Sequence, residues 1–243
     1  MASGGRLVGM TQRIGIVACS AEGAALCYRT ICSLAAKRMG PHQHPEISMH
    51  TFSLADYMIP VRSGDWGGVA AMMHRSGRKL AAAGASFLIC PDNTIHQAFL
   101  EGGLRGPLPW LSIAEVVARA GREGGREVLG VIGTRPLMEG PVYREALMAL
   151  GIERVIPEPA DRDRIDQIIF EELVYGVIRE TSRRFFYEVI ERLKGMGCQA
   201  VVLGCTEIPL IVREGESPLP TLDSTRLLAA SALEKALEAV PGS

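Results

Sequence analysis

The chain has 243 residues, 47% of them apolar, and a formal net charge of -1. This apolar share is enough for one large domain or for two of about 100 residues each. The near-neutral charge argues against nucleic acid as the main partner. No apolar run approaches the roughly 20 residues of a membrane span, and no signal-peptide core precedes the first predicted strand. The segment 1–12 is interpreted as a loose tail in which Met10 is an alternative start.

Short apolar runs alternate with longer amphipathic segments along the whole chain, an order typical of an α/β fold with parallel sheets. Ligands of such folds gather at the carboxyl ends of the strands. The predicted strands, bounded by Gly, Pro or polar residues, are 13–18, 46–52, 86–90, 127–132, 153–156 and 200–203. The predicted helices, with apolar residues three and four apart, are 23–39, 69–83, 114–120, 142–150, 162–175, 182–196 and 225–240.

The two halves of the chain repeat one pattern. Gly15, in the first predicted strand, matches Gly130 at an offset of 115, and Asp92 matches Cys205 at an offset of 113. Two pairs at nearly one offset indicate an internal duplication. We therefore predict two similar lobes whose corresponding turns face each other across a cleft. The lobes are predicted to cover 13–112 and 113–221, with a C-terminal helix over 222–240 that returns to the first lobe.

Cys205 carries the clearest chemical signal. It follows the predicted strand 200–203 and opens the segment Cys-Thr-Glu-Ile-Pro at 205–209, which is typical of a strand-to-helix turn. Backbone N–H groups and the positive end of a helix favour a thiolate, so the sequence predicts a pKa below the usual value of about 8.5. The corresponding turn of the first half, Pro-Asp-Asn-Thr-Ile-His at 91–96, has Asp92 in the matching position.

The six cysteines show neither a C-x-x-C metal spacing nor a disulfide framework. Without an export signal, we expect them to be reduced thiols in a cytoplasmic protein. A free cysteine is ordinarily a small buried hydrophobe, and we expect that role for Cys27, Cys32, Cys90 and Cys198. Cys19 differs because it lies in the first strand-to-helix loop, from which it could approach the cleft.

Three classes of cofactor are disfavoured. The four lysines lie within or beside predicted helices, and none is at a strand end, where a Schiff base to pyridoxal phosphate is expected. The first strand is not followed by G-x-G-x-x-G, which argues against NAD or FAD. The histidines lack the spacing of a metal site. We therefore predict neither a cofactor nor a metal.

The paired motifs at 91–96 and 204–209, set in duplicated α/β halves, resemble the aspartate/glutamate/hydantoin racemase superfamily, and most of all its aspartate racemase branch. The resemblance extends from about Ile14 to the last helix. It implies two α/β/α lobes with parallel sheets, related by pseudo-twofold symmetry, around a site that needs no pyridoxal phosphate or other cofactor. It also implies an isomerase in which two cysteines, on opposite faces of an amino acid or related 2-substituted carboxylate, remove and return the α-proton. A homodimer is compatible with the family.

The same resemblance implies roles for polar side chains at the strand ends. Without an electron sink, hydrogen bonds to the substrate carboxylate must stabilise the carbanion. A threonine or serine in such a turn has an alternative role as a helix cap. The residues expected to bind substrate are Asn93, Thr94, Thr134 and Thr206, with Ser20 and Gly23 as weaker candidates and His96 near the cleft without a role in proton transfer.

Asp92 departs from the family pattern, because the aspartate racemases place a cysteine directly before Asn-Thr. Three interpretations are open. Asp92 is a second base whose pKa is raised by burial, a carboxylate that orients the substrate ammonium group, or a residue that caps the turn ahead of Asn93. The catalytic hypothesis pairs Cys205 on one face of the substrate with Asp92 on the other, because inversion at Cα needs a base and an acid on opposite sides.

A second departure concerns the substrate side chain. Relatives that act on acidic amino acids carry a lysine where this chain has Val174, and a valine cannot pair with a distal carboxylate. We therefore expect a substrate other than aspartate or glutamate. Arg179 or Arg183 could supply the missing charge, although arginines of a helix ordinarily face solvent.

Two alternatives remain at the level of the sequence. In a single-cysteine decarboxylase of the same superfamily, Cys205 alone would protonate an enolate formed by loss of carbon dioxide. In a non-enzymatic binder, the chain would hold an amino acid or carboxylate without turning it over.

Overall fold

Eight short strands, all paired in parallel, form two separate four-stranded sheets within residues 11–238. These residues are the ones described by the structure, which is a computed structural model. Met10 and the end of the last predicted helix lie outside them. The first sheet has β1 (Ile14–Ala18), β2 (Ile47–Thr51), β3 (Phe87–Ile89) and β4 (Trp110–Leu111), in the order β2-β1-β3-β4. The second has β5 (Val128–Ile132), β6 (Glu153–Val155), β7 (Ala200–Leu203) and β8 (Thr221–Asp223), in the order β6-β5-β7-β8.

The two sheets have the same strand order, with the second shifted by four strands along the chain. The two glycines of the repeat take equivalent places, since Gly15 pairs with Leu88 of β3 and Gly130 pairs with Val201 of β7. The predicted α/β fold with two similar parallel-sheet lobes is therefore confirmed. Because all strands of a sheet run the same way, the carboxyl ends of β1 and β3 lie together, as do those of β5 and β7.

Helices flank both sheets. Two single-turn 3-10 helices, Thr94–His96 and Leu173–Tyr175, follow β3 and the helix that ends at Glu171. None of the helices described between residues 11 and 238 is long and apolar enough to cross a lipid bilayer. The helices are α1 (Ala21–Met39), α2 (Leu54–Ser63), α3 (Trp66–Ala82), α4 (Gln97–Leu100), α5 (Ile113–Glu123), α6 (Arg135–Glu139), α7 (Pro141–Met148), α8 (Pro159–Glu171), α9 (Glu180–Gly195), α10 (Ile208–Ile211) and α11 (Ser224–Leu237).

The differences from the predicted elements have local causes. Strands β4 and β8 have two and three residues, too few to show a period of two. Helix α2 carries Pro60 in its interior, which ordinarily argues against a helix. The predicted helix 162–175 begins earlier, at Pro159, and stops at Glu171, because Glu172 leaves helical geometry with φ -124° and ψ -64°.

Helix α5 lies between the two lobes. Its residues Ile113 and Val116 pack with α1, α11 and the first sheet, whereas Ala114 and Val117 pack with the second sheet and α7. Helix α11 packs along α1 through fully buried Leu228. The lobe boundary at 112 and 113 stays a prediction, and β8, which overlaps the predicted start of the C-terminal segment, pairs with β7 in the second sheet.

The lobes approach closely where α1 begins. A Cβ atom on Gly23, in the first turn of α1, would lie 2.6 Å from Cγ2 of Thr206 in the second lobe and 2.7 Å from Oγ of Ser20. Both distances are shorter than real Cβ contacts allow. The contact between the lobes therefore requires glycine at this position.

We expect Gly23→Ala to lower the free energy of unfolding by about 1–3 kcal/mol, the usual range for overpacking. The matched control is Gly195→Ala, also helical, whose new Cβ would meet nothing within 4 Å. That change should leave stability unaltered or raise it by up to about 1 kcal/mol, because alanine favours helix. Urea unfolding of both variants measures the difference, and equal effects would contradict the contact.

Candidate active site

A cavity of about 500 Å³ lies between the strand ends of the two sheets. The loops after β1 and β3 form its first-lobe wall, and the loops after β5 and β7 form its second-lobe wall. Helices α2 and α8, with the adjoining 3-10 turn, close one end. Of the residues predicted for the site, those that line this cavity are Ser20, Asp92, Asn93, Thr94, Thr134, Val174, Cys205 and Thr206.

The carboxylate of Asp92 is held by the loop after β1. Its Oδ2 accepts a hydrogen bond from the backbone N–H of Cys19 at 3.1 Å, and its Oδ1 accepts one from Ser20 at 3.0 Å. Burial raises the pKa of Asp92 to about 6, the charge of Glu207 adds to the rise, and the hydrogen bonds from Ser20 and Cys19 limit it. Asp92 is thus an oriented carboxylate that changes protonation close to neutral pH.

Cys205 lies on the opposite wall and is protonated. Its thiol donates a hydrogen bond to Oε2 of Glu207 at 2.9 Å, and the hydroxyl of Thr206 donates to the same oxygen at 2.7 Å. Burial and the neighbouring Glu207 carboxylate raise the pKa of Cys205 well above its ordinary value, and Asp92 adds to the effect. The predicted thiolate is therefore wrong. The following helix, α10, has only four residues, too few to offset a buried carboxylate.

The side chain of Asn93 joins the lobes. Its Oδ1 accepts a hydrogen bond from the hydroxyl of Tyr143 at 2.6 Å, and its Nδ2 donates to Oγ of Ser224 at 3.0 Å. The hydroxyl of Ser224 in turn donates to the carbonyl of Leu203, at the end of β7, at 2.8 Å. Only 3% of Asn93 is exposed. Both ends of its amide are thus used in hydrogen bonds inside the protein.

The hydroxyls of Thr94 and Thr134 meet across the cleft at 2.8 Å. A hydroxyl has one hydrogen to donate. One of the two donates to the other, so the pair retains one free hydrogen for a ligand in the cavity that both residues line. Ser20, by contrast, has a structural contact, because its Oγ accepts a hydrogen bond from the N–H of Gly23 and so caps α1.

His96 does not line the cleft, contrary to the prediction. Its ring is 98% buried, and Nε2 lies 3.0 Å from the carbonyl oxygen of Cys90. Because a carbonyl only accepts hydrogen bonds, Nε2 carries the hydrogen. Burial lowers the pKa of His96 to about 4, so the ring is neutral. It lines a larger cavity of about 840 Å³ beside Phe99 and α7, which the Asp92 and Cys205 side chains do not reach.

The end of the cleft formed by α2 and α8 is mostly apolar, although Asp166 of α8 and Arg62 of α2 also line the cavity. Val174, Ile169 and Phe170 form one side of it, and Leu54 and Met58 of α2 are among the residues of the other. Arg179 and Arg183 do not line the cavity, since each pairs with a glutamate, Glu172 at 3.5 Å and Glu180 at 3.0 Å.

Three features of the site were missed by sequence reasoning. The first is the contact of Glu207 with Cys205, although Glu207 stands inside the 205–209 motif. The second is the wall formed by α2, a helix that was not predicted because Pro60 lies in its interior. The third is Arg62, at the end of α2, the one lysine or arginine among the described residues that line the cavity.

Comparisons with known proteins identify the family of the chain. The family model described as Asp/Glu/Hydantoin racemase matches residues 14–232. The chain belongs to this racemase family. A candidate Asp/Glu racemase from Yersinia pestis is 31% identical, with a TM-score of 0.86 over 93% of this chain and 100% of that chain.

Two further relatives of the racemase family extend the comparison. An aspartate racemase homologue from Pyrococcus horikoshii OT3 shares the fold, with 24% identity and a TM-score of 0.81 over 93% of this chain and 100% of that one. The broad specificity amino-acid racemase RacX of Bacillus subtilis is 24% identical over 155 residues, which are 63% of this chain and 66% of RacX. The predicted superfamily is confirmed, and its aspartate racemase branch agrees with these structures.

We expect Glu207→Gln to lower the pKa of the Cys205 thiol, because the change removes a negative charge 2.9 Å from the sulfur. The pKa should stay above about 8.5, the ordinary value, since burial remains. The pH dependence of Cys205 alkylation by iodoacetamide, read by mass spectrometry, gives the midpoint. Glu216→Gln, at a surface glutamate bound to Tyr187, is the control and should not move it. A midpoint that stays or rises in Glu207→Gln would contradict the contact.

Proposed function

We propose that the protein is a cofactor-independent amino-acid racemase or epimerase, with a substrate other than aspartate or glutamate. The observation that carries this proposal is the placement of a thiol and a carboxylate on different lobes around one cavity, with Cys205 on the second lobe and Asp92 on the first. Inversion at Cα needs a proton acceptor on one face and a proton donor on the other. The RacX description, a broad specificity amino-acid racemase, supports the same class of reaction.

In the reaction, a base of the first-lobe wall, where Asp92 lies, takes the α-proton, and the Cys205 thiol gives a proton to the opposite face. The reverse direction exchanges the two roles. Glu207 accepts the hydrogen bond of the Cys205 thiol and serves as the store for its proton. The free hydroxyl hydrogen of the Thr94 and Thr134 pair is suited to the substrate carboxylate, where negative charge develops.

The charge of the cavity favours an amino acid over a malonate. Its lining contains the carboxyl groups of Asp92, Asp166 and Glu207 against the single guanidinium of Arg62. A zwitterion brings an ammonium group, which the carboxylates attract, whereas a malonate dianion brings two negative charges. This balance supports racemisation over decarboxylation by Cys205 alone.

The apolar end of the cavity supports a neutral, apolar side chain on the substrate. Val174, Ile169 and Leu54 offer no partner to a distal carboxylate, and burying an unpaired charge beside them is costly. Arg62, in the last turn of α2, is the one side chain of the described lining that could pair with such a carboxylate. Burial of each methylene contributes about 0.8 kcal/mol, which is roughly a fourfold gain in kcat/KM for each one accommodated.

We expect the protein to exchange the Cα proton of apolar amino acids with solvent, and to do so faster than that of aspartate or glutamate. Proton NMR in deuterated water, with a panel of single enantiomers, follows both loss of the Cα signal and inversion. Cys205→Ala should lower the rate of inversion by at least about 100-fold, the usual contribution of acid–base catalysis. The control is Cys198→Ala, a buried thiol of the same lobe outside the cavity, which should keep it.

Other outcomes of this experiment distinguish the alternatives. Release of carbon dioxide from a substituted malonate, without exchange of any amino acid, would replace racemisation by decarboxylation. Binding of an amino acid that Cys205→Ala leaves unchanged, without turnover by the wild type, would indicate a binder.

We expect kcat/KM to fall as the pH drops through about 6. The pKa of Asp92 is raised to about 6, mainly by burial and further by the charge of Glu207. Below this pH the Asp92 carboxyl is protonated and can no longer receive a proton. Asp92→Asn should lower kcat/KM at all pH values. The activity that remains should no longer fall as the pH drops through about 6. If the remaining kcat/KM of Asp92→Asn falls over the same pH range as in the wild type, a group other than Asp92 causes the fall.

A further inference from the structure

Cys19 stands beside Asp92 at the edge of the cleft. It directly follows β1, is 6% exposed, and lines the same cavity as Cys205. Its backbone N–H is the donor to Oδ2 of Asp92 at 3.1 Å. The other three cysteines of the first lobe, Cys27, Cys32 and Cys90, do not line this cavity. Cys19 is therefore the first-lobe thiol that a ligand in the cleft can meet.

The carboxylate of Asp92 is directed toward the loop after β1. Each of its oxygens already accepts a hydrogen bond from a backbone amide of that loop, from Cys19 and from Ser20. These contacts fix the carboxylate next to Cys19. A carboxylate held in this way is better suited to keep a proton for Cys19 than to approach the Cα atom of a substrate itself.

The second-lobe wall also contains a thiol and a carboxylate. There the Cys205 thiol contacts the Glu207 carboxylate at 2.9 Å. Burial raises the pKa of Cys19 far above its ordinary value, and the next largest cause is the charge of Asp92. Burial and the charge of Glu207 act on Cys205 in the same order. Each thiol is thus protonated at rest, with a carboxylate among the charges that raise its pKa, and a thiolate formed there is a strong base.

We propose that Cys19 is the proton-transfer group of the first-lobe wall, and that Asp92 acts through it as the store of its proton. The site then contains two thiol–carboxylate pairs, Cys19 with Asp92 and Cys205 with Glu207. This inference rests on the proposed racemase or epimerase function and names the atom that transfers the proton.

The Asp92 carboxylate takes the proton of the Cys19 thiol, and the Cys19 thiolate then removes the α-proton, leaving the electron pair on the substrate as an enolate. The Cys205 thiol donates its proton to the opposite face of Cα and becomes a thiolate. The site ends with one proton more on the first-lobe wall and one fewer on the second, and its net charge is unchanged.

The test follows each enantiomer of the best substrate separately by proton NMR in deuterated water, with wild type, Cys19→Ala, Cys19→Ser and Cys205→Ala. Racemisation should fall by at least about 100-fold in each variant. Solvent exchange without inversion should persist for one enantiomer in the two Cys19 variants and for the other enantiomer in Cys205→Ala. Such opposite selectivity is not expected from a residue with only a structural role. The control Cys27→Ala, a fully buried first-lobe thiol outside the cavity, should racemise within about twofold of wild type.

Racemisation by Cys19→Ala at the wild-type rate would overturn this inference alone and assign direct proton transfer to Asp92. Loss of exchange for both enantiomers in the isosteric, folded Cys19→Ser would also overturn it, since a structural role would then account for the effect. No exchange by wild type with any amino acid would overturn the proposed function, and this inference with it.

Discussion

The site depends on a polar contact between the two lobes. The turn after β3 reaches the second lobe through Asn93, whose amide is held by Tyr143 and Ser224, and through Thr94, whose hydroxyl meets Thr134. These groups are mostly buried, so breaking one contact leaves its partner without a hydrogen bond in a dry environment, at a cost of about 1–3 kcal/mol. The contact brings the ends of β3 and β7 to one cavity, and with them the Asp92 and Cys205 side chains.

The charged groups of the cavity affect one another because the contact between the lobes brings them close together. Carboxyl groups from both lobes share a small, partly buried volume with two thiols and one arginine side chain. Burial and the like charge of Glu207 raise the pKa of Asp92, and burial with nearby carboxylates raises the pKa of both thiols. Both thiols are therefore protonated at rest, because burial and nearby carboxylates oppose the formation of a thiolate.

The division of the cavity into a polar and an apolar end bears on the proposed substrate. Strand-end loops supply most of the polar groups of the cavity, although Arg62 and Asp166 come from α2 and α8. Helix α2 and the segment after α8 supply the apolar end, and Leu54 and Phe170 there remain about 40% exposed. The groups proposed for proton transfer and those proposed to contact the substrate side chain thus come mostly from different parts of the fold.

The sequence alone determined the alternation of strands and helices, the duplication, the family, and the position of Cys205 and Asp92 at matching strand ends, because periodicity, turn residues and repeats are local properties of the chain. It did not reveal β4, β8 or α2, which are too short or contain a helix-breaking proline. Only the tertiary structure decided the state of each group. Cys205 is protonated because burial and the Glu207 carboxylate, which accepts its hydrogen bond, raise its pKa. The amide of Asn93 is occupied because Tyr143 and Ser224 reach it, and Cys19 lies beside Asp92 although 73 positions separate them. Proton affinity and hydrogen bonding depend on neighbours within a few ångströms, and in this fold many of those neighbours come from distant parts of the chain.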